Sequence, residues 1–167
     1  RRELRHAHAD GFRSVAIVLM HAYRFAEHEH RLAGLAREIG FTQISVSHEI
    51  SPLMKLVARG DTASVDAYLS PILRSYVDRT AAELDGIRLL FMQSNGGLVD
   101  AHRFQGKDAI LSGPAGGVIG GVAVMRAAGF ERVIGFDMGG TSTDVWHFAG
   151  EYERTFDAEV AGVRLRA

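Results

Sequence analysis

The sequence predicts an α/β fold with a mainly parallel sheet, and three observations favour this class. Residues 14–20 form an apolar run rich in Val, Ile and Leu, as is typical of a strand buried on both faces. Residues 27–39 then show the apolar periodicity of a helix, and strand-like and helix-like segments alternate along the rest of the chain. With 167 residues that are 47% hydrophobic, the chain can bury the core of one domain or hold parts of two.

The helix at residues 27–39 leads into a second predicted strand that ends beside a candidate binding residue. Gly40 is placed to end this helix, and residues 43–47 follow as the strand. Loops at the carboxyl ends of parallel strands bind ligands in open α/β sheets, so His48 is a candidate for binding substrate or for acid–base chemistry. Its neighbour Glu49 is a candidate metal or amide partner. The alternative is that His48 is a partly buried structural residue.

A long helix is predicted next, with Asp61 or Thr62 as its cap and Pro71 as the cause of a kink. The residues of its expected buried face share helical spacing and are Val65, Leu69, Ile72, Leu73, Tyr76, Val77 and Leu84. Arg59 and Asp61 come just before this helix, and we expect them to form only a cap or a surface ion pair.

Residues 87–92 are predicted to form a strand that runs into the loop sequence SNGG at residues 94–97. Because this loop would lie at the carboxyl end of a parallel strand, Asn95 is a candidate for hydrogen bonding to an amide ligand. An ordinary Asn-Gly turn is the alternative interpretation.

The sequence SGPAGG at residues 112–117 predicts a helix that runs from about residue 116 to residue 128. The backbone amides of Gly116 and Gly117 would then lie at a helix N-terminus, where partial positive charge favours an anion. Close packing or a hinge is the alternative reason for glycines here. Near the end of the sequence, residues 159–167 alternate in polarity as a strand does.

The most informative segment is the string DMGGTSTD at residues 137–144, which lies between apolar runs. It predicts two short strands joined by a turn, in which glycines with positive φ would let a phosphate approach the backbone. Asp137 and Asp144 are candidate catalytic residues and Mg²⁺ ligands, since carboxylate oxygens suit this hard cation. Phosphoryl transfer needs this combination, so an ATP-dependent enzyme is the leading hypothesis and a purely structural hairpin the alternative. The candidate phosphate-binding residues are Gly139, Gly140, Thr141, Ser142 and Thr143.

Composition and charge argue against several other classes of function. The 19 basic and 20 acidic residues are interspersed, so neither nucleic acid nor a membrane surface is expected as a partner. The absence of cysteine suits a cytoplasmic protein. The histidines do not predict a metal site, because His28 and His30 point to different faces of a predicted helix and the HExxH motif is absent.

Three strings together resemble one known family. The string at residues 137–144 resembles the phosphate hairpin of the actin-like ATPase superfamily, and specifically that of the hydantoinase/oxoprolinase family. MQSNGG at residues 92–97 and SGPAGGV at residues 112–118 resemble the same family, in the same order. The resemblance covers nearly the whole chain. The stretches that look closest to the ATP-hydrolysing 5-oxoprolinase branch are residues 47–52, 59–69, 104–110 and 161–167.

The resemblance implies an incomplete actin-like ATPase fold of the ribonuclease H-like type. Residues 1–110 would be the C-terminal part of the first lobe, residues 111–130 a connecting helix, and residues 131–167 the start of the second lobe. We therefore expect an internal fragment of a longer chain, which binds ATP weakly or not at all by itself. The position of Trp146 usually holds a smaller residue in the family, so the strand after the hairpin is expected to pack differently.

The same resemblance implies ATP-dependent hydrolysis of a cyclic amide, with 5-oxo-L-proline as the leading substrate. It implies Mg²⁺ as a cofactor, with K⁺ as a further candidate, and a second hydantoinase-type domain or subunit as partner in an oligomeric full-length protein. Alternatives are an N-methylhydantoinase or related hydantoin hydrolase, an acetone-carboxylase-type subunit and a non-catalytic nucleotide-dependent regulator. By this resemblance Gly116, Gly117 and Asn95 belong to the ligand cleft.

Overall fold

The computed structural model describes residues 1–84, 86–155, 157–160 and 162–165. These residues form two compact units. Unit 1 contains Arg1–Ile87, Gln105–Lys107 and the described residues after Thr155, and unit 2 contains Arg88–Phe104 and Asp108–Thr155. The chain therefore passes from unit 1 into unit 2 and back more than once.

Helices and strands alternate through the first half of the chain, and short strand pairs dominate the second. None of the described helices is both long and apolar enough to cross a membrane. In chain order the elements are α1 (Arg2–Ala9), β1 (Ser14–Ile17), α2 (Glu27–Ile39), β2 (Gln43–Val46), α3 (Ser47–Ile50), α4 (Leu56–Glu83), β3 (Leu90–Met92), β4 (Leu98–Asp100), a 3₁₀ helix (Ala101–Arg103), α5 (Gly106–Ala109), α6 (Ser112–Ala127), β5 (Val133–Met138), β6 (Thr143–Phe148), β7 (Ala158–Val160) and β8 (Val163–Leu165).

A parallel strand pair forms the centre of unit 1. Strands β1 and β2 pair in register from Ser14 opposite Gln43 to Ile17 opposite Val46, and helix α2 connects them. Helix α2 has the predicted bounds, and its C-cap Gly40 adopts the left-handed conformation with φ 110°, which ends the helix as expected. Ile17, Ala33 and Val46 form the buried cluster beneath this pair.

Strand β1 is shorter than the predicted strand at residues 14–20, because side chains take over its backbone hydrogen bonds. The amide of Leu19 donates to Glu29, and the carbonyls of Leu19 and Met20 accept from Arg59. The chain consequently leaves the sheet after Ile17 and enters a turn.

Helix α4 begins at Leu56, so the predicted cap at Asp61 or Thr62 is wrong. Thr62 lies inside the helix, where its hydroxyl donates to the carbonyl of Ala58. Pro71 lies within the helix, as predicted. The predicted apolar face is also wrong in part, since Ile72 and Tyr76 are exposed. The residues buried over the first half of α4 are small or polar, which lets its backbone lie close to β1 and β2, and they are Ala58, Arg59, Thr62, Ala63, Asp66, Ala67 and Ser70.

A three-residue segment, Gln105–Lys107, docks on α4 within unit 1. The amide of Gly106 donates to the hydroxyl of Ser70 at 3.0 Å, and the amide of Lys107 donates to the buried carboxylate of Asp66 at 3.1 Å. A Cβ atom at Gly106 would lie 2.8 Å from the backbone nitrogen of Ser70. Only glycine therefore fits where this segment crosses the helix.

The expected mainly parallel sheet is wrong, because every described strand pair other than β1–β2 is antiparallel. Strands β3 and β4 form a hairpin, so the predicted strand at residues 87–92 is shorter and does not join β1 and β2. Within each of the three described antiparallel pairs the two strands follow each other directly along the chain, and the loop between them is too short for a parallel crossover, which needs a dozen or more residues.

The strand predicted at residues 159–167 is instead a tight hairpin. Strand β7 pairs with β8 antiparallel, and Gly162 in the turn between them has φ +79°. Arg166 and Ala167, at the end of that predicted strand, lie outside the described residues.

Candidate functional site

The string DMGGTSTD forms the predicted hairpin in unit 2. Strands β5 and β6 pair antiparallel, with Asp137 opposite Asp144 and Met138 opposite Thr143. The amide of Gly139 donates to the carbonyl of Ser142 at 2.9 Å and closes the turn. The candidate catalytic and phosphate-binding residues are therefore brought together on one exposed turn.

The two acids of the hairpin project from the same face, as directly opposite residues of an antiparallel pair do. Asp137 is exposed and Asp144 is half-buried. Among the described residues, neither carboxylate has a hydrogen-bond or ion-pair partner. Like charges in directly opposite positions destabilise a strand pair, and a bound cation would remove that repulsion.

The glycines of the turn do not adopt the predicted conformation. Neither Gly139 nor Gly140 has a positive φ. Four-residue hairpin loops are most often built on a type I turn, which needs negative φ at its central residues. A Cβ atom at Gly140 would meet nothing within 4 Å, and the turn is open to solvent. Without side chains at the two glycines, the backbone of the turn is therefore accessible to a ligand.

Helix α6 starts earlier than predicted, which changes the role open to its glycines. The helix begins at Ser112, so Gly116 and Gly117 lie beyond the first four amides, the ones that a helix leaves without intrahelical partners. The expected bare amides at these two positions are therefore wrong. Gly117 instead leaves space beside the hairpin, since a Cβ atom there would lie 3.9 Å from the carboxylate of Asp137.

Trp146 fills a slot that two glycines leave open. It lies opposite Gly135 across the hairpin, and a Cβ atom at Gly135 would collide with the indole ring. A Cβ atom at Gly121 of α6 would lie 2.6 Å from the same ring. The unusual tryptophan is thus accommodated by missing side chains on β5 and α6, close to Asp137 on the same face.

Asn95 lies in the β3–β4 turn rather than beside a parallel strand. Its Oδ1 atom accepts a hydrogen bond from the amide of Gly97 at 2.7 Å, and Gly96 has φ +82°. The side-chain oxygen of Asn95 thus stabilises the turn in which the residue lies, as the interpretation of this sequence as an Asn-Gly turn predicts. The side-chain amide nitrogen of Asn95 makes no hydrogen bond to the described residues, and it is the donor that this side chain offers to an external ligand.

In unit 1, His48 lies at the carboxyl end of β2, and its side chain is bound to a buried acid that the sequence did not single out. The Nδ1 atom of His48 lies 2.6 Å from Glu29, which has 0% exposure. Glu29 also accepts hydrogen bonds from the hydroxyl of Ser47 and from the amides of Leu19 and His48. One feature of the sequence does indicate that Glu29 is buried, because it lies four residues before Ala33 and so on the same face of α2.

These contacts set the charge of Glu29. Burial by itself raises the pKa of this carboxyl. The hydrogen bonds from Ser47, His48 and the two backbone amides act in the opposite direction and outweigh burial, so the pKa of Glu29 lies below its ordinary value of 4.5. Glu29 is therefore a carboxylate at neutral pH.

Arg59 is fully buried, and the expected surface pair with Asp61 is wrong. Its Nε atom donates to the hydroxyl of Ser47 at 2.9 Å, and that hydroxyl donates in turn to Glu29 at 2.6 Å. Its other nitrogens donate to backbone carbonyls of residues 19, 20, 53 and 54. The cation and the anion thus compensate each other through one serine inside the unit.

Comparison with known proteins identifies what the chain is similar to. It is 43% identical to 5-oxoprolinase 1 of Arabidopsis thaliana over 94% of the chain, and it spans only 13% of that protein's length. A nucleotide-free structure of acetone carboxylase superimposes with a TM-score of 0.86 at 24% identity, covering 99% of this chain and 25% of that one. The ATP-dependent caprolactamase of Pseudomonas jessenii superimposes with a TM-score of 0.78 at 30% identity, covering 96% of this chain and 24% of that one.

These similarities establish an α/β fold of the kind found in acetone carboxylase and caprolactamase. The family described as hydantoinase/oxoprolinase matches residues 59–167, and the family described as the hydantoinase/oxoprolinase N-terminal region matches residues 1–40. The chain therefore belongs to the hydantoinase/oxoprolinase family.

Proposed function

We propose that the protein containing this chain is a cytoplasmic, ATP-dependent hydrolase that opens 5-oxo-L-proline to L-glutamate. The observation that carries the choice of substrate is the 43% identity to a plant 5-oxoprolinase over 94% of the chain, against 34% to the caprolactamase alpha subunit over 84% of the chain. Because the chain spans 13% of that relative, the activity is proposed for a longer protein of which this chain is a part.

The proposed architecture is that of an actin-like ATPase. Residues 1–110 would contribute to the first lobe, residues 111–130 would connect the lobes, and residues 131–167 would open the second lobe with its phosphate hairpin. The support is the resemblance of the β5–β6 hairpin, with its open turn and paired acids, to the phosphate hairpins of that superfamily. A second hydantoinase-type domain or subunit would complete the assembly.

The chemistry explains why ATP is needed. A lactam carbonyl is a poor electrophile, because the ring nitrogen donates electrons to it. Transfer of the γ-phosphoryl group to the carbonyl oxygen makes the carbonyl carbon more electrophilic. Water then adds to this carbon, and the ring C–N bond breaks. A second water then releases phosphate, and the products are L-glutamate, ADP and phosphate. Phosphoryl transfer of this kind depends on positioning and charge compensation.

The hairpin residues have separate roles in this proposal. Asp137 and Asp144 would hold Mg²⁺, because two opposed carboxylates to which the described residues offer no partner fit a hard divalent cation. Bound Mg²⁺ compensates charge on the transferring phosphoryl group. The hydroxyls of Thr141, Ser142 and Thr143 would donate to phosphate oxygens. Because Gly139, Gly140 and Gly117 have no side chains, they would leave room for the phosphates, and Gly116 would line the ligand cleft beside them. K⁺ is a further candidate cofactor.

The substrate side of the proposal has fewer residues to draw on. The amide nitrogen of Asn95 is the candidate donor to the lactam, since its oxygen is already bound in the turn. His48 remains a candidate substrate-binding residue. A caprolactam-like ring is the second candidate substrate, favoured by the likeness to the caprolactamase structure.

The decisive experiment measures phosphate release by the full-length protein at fixed Mg-ATP. Separate reactions contain 5-oxo-L-proline, caprolactam, hydantoin, acetone with bicarbonate, or no substrate, together with any companion subunit. We expect stimulation by 5-oxo-L-proline and stoichiometric glutamate. Stimulation only by another ring would keep the ATP-dependent mechanism and replace the substrate, whereas phosphate release that no substrate changes would contradict the proposed enzyme.

A further inference from the structure

The structure brings together a second group of possible ligands, and all of them lie in unit 1. The imidazole rings of His30 and His48 lie 4.5 Å apart between centroids, at 74° to each other. The Nε2 atom of His48 lies 3.7 Å from a carboxylate oxygen of Glu49. Among the described residues, one ligand atom from each of these three side chains lies within 4.8 Å of the other two.

The Nε2 atom of His48 is buried and makes no hydrogen bond within the described part of the chain. A buried polar atom in that condition costs free energy, so its position calls for a partner that the protein atoms do not supply. The opposite ring nitrogen, Nδ1, is held at 2.6 Å by Glu29. Proteins prepare metal-binding histidines in this way, with a carboxylate on one nitrogen and the metal on the other.

We propose that His30, His48 and Glu49 bind a divalent transition-metal ion of the Zn²⁺ type, and that Glu29 orients His48 for it. Two imidazole nitrogens and one carboxylate oxygen form a donor set that suits Zn²⁺ better than Mg²⁺. Because Glu29 is a buried carboxylate with four hydrogen bonds, the orientation of the His48 ring is fixed before the metal arrives.

The geometry needs only side-chain motion to close around an ion. Ligand atoms around a tetrahedral Zn²⁺ lie about 3.3 Å apart, given metal–ligand distances of about 2.0–2.1 Å. The His48–Glu49 separation of 3.7 Å is already close to this. The side chains of His30 and Glu49 are exposed, and three protein ligands would leave one position for water.

The experiment titrates Co²⁺ and Zn²⁺ into the full-length protein after removal of metals, with millimolar Mg²⁺ present to occupy oxygen-only sites. Visible absorption reports Co²⁺ coordination, and calorimetry reports Zn²⁺ affinity and stoichiometry. The His30→Asn and Glu49→Gln variants change exposed side chains and so preserve the fold. His28→Asn is the matched control, since His28 is an exposed histidine on the same helix.

We expect His30→Asn to lose one equivalent of Co²⁺ signal, and both variants to weaken Zn²⁺ binding at this site at least tenfold, with His28→Asn unchanged. The difference between His30→Asn and the control isolates this site from any other metal that the full-length protein binds. Equal binding by the wild-type protein and the two ligand variants, or an equal loss in the His28→Asn control, would mean adventitious binding only and would overturn the proposal. Activity is not the readout, so the outcome is independent of the proposed substrate.

Discussion

The buried charges of unit 1 and the acidic hairpin of unit 2 differ in how their charges are compensated. In unit 1, Glu29 and Arg59 are both fully buried, and every polar contact that they need comes from neighbouring protein atoms. In unit 2, Asp137 and Asp144 face each other across a strand pair, and the described residues supply no partner to either. The first arrangement is complete without a ligand, whereas the second leaves a repulsion between like charges that a bound cation would relieve.

From this difference we expect the buried charges of unit 1 to stabilise its fold and the two hairpin acids to bind a ligand. The buried carboxylate and guanidinium, linked through the hydroxyl of Ser47, also hydrogen-bond the backbone of Leu19, and so they fix the loop after β1. Opposed carboxylates lower the stability of a strand pair, and a cation bound between them would offset that cost. Substitutions of the buried charges in unit 1 should therefore change stability first, and substitutions of the two hairpin acids should change activity first.

The largest expected effect is that of Arg59→Met. Loss of the guanidinium leaves a buried carboxylate uncompensated and several carbonyls without donors, so we expect local opening to become easier by about 3–5 kcal/mol. Hydrogen exchange of the α4 amides in the full-length protein measures this free energy. Arg37→Met, an exposed change on α2, is the control. An opening free energy unchanged in Arg59→Met would show that the buried network does not hold unit 1 together.

Asp137→Asn in the full-length protein should lower substrate-stimulated phosphate release by roughly 100-fold or more, because one ligand of the proposed Mg²⁺ is lost. The melting temperature should stay the same or rise, since the like-charge repulsion with Asp144 disappears. Glu131→Gln, at an exposed acid just before β5, is the control and should keep full activity. Retained turnover in Asp137→Asn would remove the metal role from this hairpin.

Gly135→Ala should destabilise unit 2 by about 1–3 kcal/mol, because the new methyl group collides with the indole of Trp146. Combining it with Trp146→Leu should restore part of the loss, which a double-mutant cycle measures by hydrogen exchange of the β5 amides. Gly120→Ala is the matched control, since a Cβ atom there meets nothing within 4 Å. Equal effects of the two alanines would show that the Trp146 slot is not a constraint.

The smallest expected effect is a change in pH dependence. Because the folded-state pKa of Glu29 is lowered, its charged form stabilises unit 1 above the ordinary pKa of 4.5, and this contribution is lost as pH falls through the lower folded value. In EDTA, Glu29→Gln should therefore be less stable than the wild-type protein at pH 7 by about 1–3 kcal/mol, and the difference should shrink below about pH 4.5. A difference that stays constant down to pH 3 would contradict the lowered pKa.

The sequence was sufficient where local pattern decides the structure. Helix α2 has the bounds that its periodicity and Gly40 predicted, because amphipathic spacing and a left-handed glycine act within a few residues. The β5–β6 hairpin formed for the same reason, with apolar runs on both sides of a turn. The candidate hairpin site could thus be located without a structure, and its residue roles stay a prediction.

Sequence reasoning failed where contacts between distant segments decide. The buried face of α4 consists of small and polar residues. Nothing in their spacing shows that Arg59 is linked to Glu29 through Ser47, the first residue of α3. The periodicity of α2 relates His30 only to residues of the same helix, such as His28. In the structure the ring of His30 contacts that of His48 in α3. The lobe boundaries at residues 110 and 130 also stay a prediction.

The docking of Gln105–Lys107 on α4 has a consequence for protein synthesis. Asp66 is buried and accepts hydrogen bonds from Ser45, Ser70 and the amide of Lys107. While the ribosome is still translating the codons before Lys107, helix α4 carries this carboxylate with one donor missing. Unit 1 can therefore reach its final packing only after a segment some twenty residues past the end of α4 has left the exit tunnel, so premature termination in the β3–β4 hairpin would leave a nascent domain exposed to chaperones and proteases.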